Sequence, residues 1–162
     1  MICTVRGYTN MTLTIEDFIK ESNAIENIHR EPTREEIKEA NRFLKLNEIT
    51  IAEINAFVKI YQPNAKLRIW DGLNVIVGNH MPPPGGINID HALQGILHDA
   101  TLLNKSAHNI HVDYELLHPF TDGNGRSGRI LWLWMVYNRL GRLPSLSFLH
   151  SFYYSTLDNS GD

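Results

Sequence analysis

The segment Ile130-Leu131-Trp132-Leu133-Trp134-Met135-Val136 is apolar on every side of a helix. Such a helix has no face to offer water and must be surrounded by others. The unbroken apolar run ends at Tyr137, far short of the roughly 18–20 residues that a membrane span needs. The helix is therefore expected at the centre of a soluble bundle. The 162 residues amount to about one domain by a prior of roughly 100–200 residues per domain, so residues 1–162 are read as a single domain.

The surrounding helices are legible from their caps. Thr14 opens a first helix, expected over residues 14–28. Thr33-Arg34-Glu35-Glu36 and Thr50-Ile51-Ala52-Glu53 are capping boxes, starting helices that run to Leu46 and Pro63. The charged run from Arg34 to Glu39 reads as a solvated helix face. Residues 67–78 read as a hairpin, with Asp71-Gly72 at the turn and Ile, Val and Trp in the flanks. Pro82-Pro83-Pro84-Gly85-Gly86 is an extended strut within the domain. Helices over Ile89 to Asn104, Ala107 to Leu117, Asn124 to Leu140 and Ser145 to Leu157 follow, the third closed by Gly141. The fold class is mainly α, with one small β-hairpin.

Charge and cysteine content narrow the partners. Lys plus Arg is 15 and Asp plus Glu is 18, a formal net charge of −3. That argues against holding nucleic acid by bulk positive charge. One cysteine, Cys3, excludes an internal disulfide framework and a multi-cysteine zinc site. The first residues lack an apolar leader. A cytoplasmic protein is expected, with no membrane and no nucleic-acid partner; homo-oligomerisation is left open.

Chemistry concentrates in His118-Pro119-Phe120-Thr121-Asp122-Gly123-Asn124-Gly125-Arg126-Ser127-Gly128-Arg129. Pro119 stops one helix, and Phe120 can anchor the loop in the core. Gly123 and Gly125 permit left-handed backbone. The loop feeds into a helix N-terminus, whose free N–H groups and dipole suit phosphate. Arg126 and Arg129 sit three apart in the first turns, where the dipole disfavours cations, so an anionic ligand is expected. Asp122 is placed for a hard cation such as Mg²⁺. His118 titrates near neutrality and is the natural general base.

This stretch resembles the signature of the Fic family, HPFx(D/E)GNGRxxR, at every specified position. The resemblance extends to the hairpin followed by prolines, which looks like the family's target-docking flap. It implies a helical Fic fold and transfer of AMP from ATP to a Ser, Thr or Tyr hydroxyl of a target protein. It implies His118 as base and Asp122 as holder of Mg²⁺. The backbone of Gly123, Asn124 and Gly125 would cradle the phosphates, with the Asn124 side chain. Arg126 would neutralise them, and Arg129 would hold the γ-phosphate. Arg68, Ile69, Trp70, Val75 and Ile76 of the flap would dock the target. A related branch that transfers phosphate carries Lys where this chain has Gly125. Transfer of another group, removal of AMP, and a catalytically silent nucleotide-binding module are the alternatives.

The first helix holds an oddity that periodicity alone reveals. Ile15, Phe18 and Ile19 define its apolar face. At about 100° per residue, Ser22 and Glu26 fall within about 20° of Ile15. A carboxylate in an apolar stripe needs a partner. Ser22-Asn23-Ala24-Ile25-Glu26-Asn27 also resembles the Fic inhibitory motif, (S/T)xxxE(G/N). That resemblance implies Glu26 paired with Arg129 and an autoinhibited enzyme. His108, His111 and Glu115 lie at i, i+3 and i+7 on one helix face; a hydrogen-bonded polar stripe is expected there rather than a metal site.

Overall fold

Threonines start the first three helices of the computed structural model, which describes residues 13–144. Thr14, Thr33 and Thr50 accept hydrogen bonds from the backbone N–H of Asp17, Glu36 and Glu53. These caps open α1 (Ile15–Ile25), α2 (Arg34–Leu44) and α3 (Ile51–Tyr61). Helices α4 (Ile87–Leu102), α5 (Ala107–Leu117) and α6 (Asn124–Leu140) follow the proline strut. The helix expected over Ser145 to Leu157 and the ends of the 1–162 domain lie outside the described residues.

Helix α6 is the axis of the molecule and touches the other five helices. Every residue from Arg126 to Val136 on it is buried, as the all-round apolar pattern requires. Phe43 of α2, Leu93 of α4, and Ile110 and Tyr114 of α5 build the core around it. Trp134 satisfies its one donor at the Leu46 carbonyl, 2.9 Å away, as a buried indole must. No helix among the described residues is long and apolar enough to cross a membrane.

Two expectations are corrected. No strand forms over residues 67–78. Asp71-Gly72 does make a turn, with the Leu73 N–H donating to the Trp70 carbonyl. A second turn at Gly78-Asn79 pairs Val77 with His80 instead of with Leu67. Leu67 bridges to Phe120. Two successive turns leave no partner register for a hairpin, and side chains take the loop's polar groups: Arg68 takes the Leu73 and Pro83 carbonyls, and Asn74 takes the Gly85 N–H. The segment is a pinned loop.

The second correction concerns the charged run on α2. Glu36 and Glu39 are buried, not solvated. Glu36 accepts from the Thr33 N–H and from Arg30 at 2.6 Å, and the Arg30 guanidinium holds its carboxyl below the ordinary range against the cost of burial. Glu39 pairs with Arg42. Periodicity cannot distinguish a solvated acid from one whose cation arrives from outside the helix. Replacing Glu36 with Ala removes a cap and a charge-assisted hydrogen bond, and should cost about 2 kcal/mol in urea unfolding. Lys38→Ala on the exposed face should stay within about 0.5 kcal/mol; equal effects would refute this assignment.

Candidate functional site

The loop between α5 and α6 is bracketed by two left-handed residues. His118 caps α5 at φ 52, ψ 63, and Gly123 precedes α6 at φ 79. Phe120 is wholly buried between them. Asn124 closes the loop: its Oδ1 accepts from the Phe120 N–H at 2.9 Å and its Nδ2 donates to the Phe120 carbonyl at 2.8 Å. The Asn124 side chain is therefore buried and shapes the loop. Its backbone remains at the first turn of α6.

That first turn is open to an anion. Gly123 provides no side-chain cap, and the first backbone bond inside the turn is from the Ser127 N–H to the Gly123 carbonyl. The N–H groups before it carry the positive end of the helix dipole. Arg126 is buried, stacks over the Tyr61 ring with its guanidinium carbon 5.9 Å from the centroid, and leaves Nε without a hydrogen-bond partner. A buried cation with an idle donor suits a phosphate oxygen. Asp122 is exposed at the rim, its carboxylate accepting from the Gly123 N–H and from Gln62. Each oxygen keeps a free lone pair.

One rim carboxylate fits Mg²⁺ that arrives with a nucleotide, since Mg²⁺ commonly takes one or two carboxylates and completes its shell with phosphates and water. Among the described residues there is no group of three acidic, His or Cys side chains that could hold a resident metal.

Arg126 and Arg129 leave α6 in different directions. Arg126 goes to α3, Arg129 to α1. Arg129 donates from Nε to Ser22 Oγ at 2.8 Å, and from Nη2 to the Ser22 carbonyl at 3.0 Å and Glu26 Oε1 at 2.6 Å. Glu26 is the C-cap residue of α1. Asn27 adopts φ 62, and its N–H and that of Ile28 donate to Ala24 and Asn23 carbonyls, a Schellman ending. Asn is among the few residues that tolerate this backbone. Asn27 thus aims Glu26 without touching the site. The Glu26 carboxylate lies over Gly125, where any Cβ would overlap it.

The sequence profile of the Fic/DOC family matches residues 22–136. The protein belongs to the Fic/DOC family. No individual curated protein matches the chain. Fic domains generally transfer AMP or other phosphate-containing groups to proteins.

In this Fic domain the His118 ring is half-buried, with Nδ1 3.4 Å from the Glu115 carbonyl. Burial pushes its pKa below the ordinary value, with the Arg68 and His80 charges adding to the shift. The imidazole is thus neutral at pH 7, and a donating Nδ1 leaves Nε2 as the proton acceptor.

The expected docking residues divide. Trp70 is 70% exposed and Ile76 72% exposed. Ile69 packs on the core and Val75 is half-buried. Arg68 is wholly buried and cannot touch a target; it donates to backbone carbonyls instead. Gln62, which orients Asp122, was invisible in the sequence because the two are 60 residues apart.

The His111–Glu115 stripe is partly buried, beside Arg129. Glu115 Oε1 is sealed without a hydrogen-bond donor, 2.6 Å from where a Cβ on Gly128 would stand. Glycine at 128 makes room for it. Burial pushes Glu115 up to about 7 and His111 down to about 4.

The two shifts act oppositely. A raised acid contributes stability below its ordinary 4.5 that is lost as pH rises through about 7. A depressed histidine contributes stability above its ordinary 6.5 that is lost as pH falls through about 4. Glu115→Gln removes the first effect only. Its melting temperature relative to wild type should therefore rise between pH 5 and about pH 8; a difference flat across that range would contradict the buried-acid assignment.

Proposed function

We propose that the protein transfers AMP from ATP to a hydroxyl side chain of another protein, and that its own α1 holds it inactive. The observation that carries this reading is the position of Glu26. Its carboxylate lies beside Gly125 at the start of α6 and pairs with Arg129, the guanidinium that a terminal phosphate would need. A protein carboxylate here supports an anionic substrate there, because the dipole, the free N–H groups and Arg129 favour any negative group.

The chemistry needs few parts. His118 Nε2 takes the proton of the target hydroxyl as its oxygen attacks the α-phosphorus. The bond to the β-phosphate bridging oxygen breaks, and pyrophosphate leaves. Arg126 neutralises charge on the phosphates, and the α6 N–H groups fix their orientation. Asp122, oriented by Gln62, would hold Mg²⁺, whose charge supports the leaving pyrophosphate. Catalysis is then mostly positioning and electrostatic stabilisation. Gly125, where the phosphate-transferring branch carries Lys, supports nucleotidyl transfer: a side chain at 125 and Glu26 in its present place exclude each other.

Incubation with labelled ATP, Mg²⁺ and cell lysate tests the reading. Glu26→Gly removes a 2.6 Å charge-assisted bond, and should raise label on protein by about tenfold or more. His118→Ala in that background should lower it by about 10²-fold or more. No protein label from Glu26→Gly would refute adenylyl transfer. The acid limb of kcat/KM should fall below the roughly 6.5 of an ordinary histidine, because the neutral ring persists to lower pH. A limb above that value would exclude His118 as the base.

A further inference from the structure

Arg68 is a wholly buried cation with no acid beside it among the described residues. Burial depresses its pKa, and no counter-charge offsets that effect. Its hydrogen bonds all go to backbone carbonyls: Nε to His118 at 2.7 Å, Nη2 to Leu117 at 2.9 Å, Nη1 to Leu73 at 3.1 Å and to Pro83 at 2.9 Å. Its own backbone continues the pattern, donating to the Pro119 carbonyl and accepting from the Gly86 N–H.

Two of those acceptors terminate α5. That helix has no basic residue in its last turn, so the negative end of its dipole is met by a cation from a different segment. The helix ends in a non-glycine residue, His118, in left-handed backbone, a strained conformation that persists only where neighbours hold it. Arg68 holds the carbonyl of that same residue. The other two acceptors, Leu73 and Pro83, flank most of the loop that displays Trp70, Ile76 and Met81, all strongly exposed. One planar guanidinium therefore grips the base of the exposed loop and the backbone of the histidine.

We propose that Arg68 is a positioning residue that couples the exposed loop over residues 70–83 to the backbone of His118, so that a protein seated on the loop bears on the placement of the base. This rests on the reading of His118 as the base of a transfer to protein. Lysine keeps the charge but lacks the planar fork that reaches acceptors on three segments. Arg68→Lys is thus the discriminating change: the nucleotide contacts on α6 stay intact while the loop and the base lose their common anchor.

In the Glu26→Gly background, Arg68→Lys should lower kcat by about ten- to a hundredfold, with ATP affinity unchanged. A purely structural role would lower ATP affinity in step with melting temperature; that result, or an unchanged kcat, overturns the proposal. A second readout needs no activity. The His118 ring resonance, assigned by its loss in His118→Ala, should move in Arg68→Lys of the full chain. If Glu26→Gly transfers no label, the proposed reaction fails while this signal still reads the coupling. Should Arg68→Lys not fold, Asn74→Ala replaces it, since it frees the Gly85 N–H at the loop base and leaves every bond to α5 in place. A shifted His118 resonance then supports the coupling, and an unmoved one overturns it.

Discussion

Two arginines in the first turns of a helix buried on all sides dictate much of what surrounds them. The dipole at that end disfavours cations, and burial raises the cost further. Each arginine must be satisfied by a different neighbour. Arg126 lies over Tyr61 and reaches the Tyr61 carbonyl. Arg129 donates to Ser22 of α1 and to its C-cap Glu26. The placement of α1 and α3 against α6 and the charge of the pocket are thus one problem. The partners offered are incomplete at Arg126, whose Nε stays idle, and replaceable at Arg129, whose Glu26 is more than one-third exposed. Under the proposed function, a phosphate-bearing ligand would complete the first and displace the second.

The loop that carries the chemistry is rigid for reasons independent of the ligand. Left-handed residues at both ends set its entry and exit. Asn124 closes it on Phe120 from within, and Arg68 bolts it to the preceding loop from outside. The His118 ring is held by its own helix through the Glu115 carbonyl, and Asp122 by Gln62 from α3. Two segments distant in sequence, α3 at Gln62 and the loop at Arg68, join α5 and α6 in holding a few functional groups in register, which is what transition-state positioning requires.

Local rules were legible where local physics decides. The threonine caps, the six helices and the all-apolar centre of α6 followed from periodicity and capping. So did the conflict at Glu26, an acid on an apolar face. The misreadings share one cause. Glu36 looked solvated because its cation, Arg30, precedes the helix. Arg68 looked like a surface residue of a hairpin because its acceptors are carbonyls, and a carbonyl has no sequence identity. The hairpin itself failed because a second turn pairs Val77 with His80 while Leu67 bridges to Phe120.

The sequence alone determined a mainly helical bundle around α6, the residue types of the phosphate-suited loop, and a carboxylate in need of a cation. These depend on backbone propensity, side-chain chemistry and the 3.6-residue period, all properties of neighbouring residues. Tertiary structure decided that Gln62 aims Asp122 and that Arg68 grips four carbonyls, and it supplied the geometry of the Glu26–Arg129 pair that the family resemblance implied. Each is a hydrogen bond whose partner is chosen by distance in space, and no local pattern encodes which distant backbone oxygen a buried guanidinium will meet.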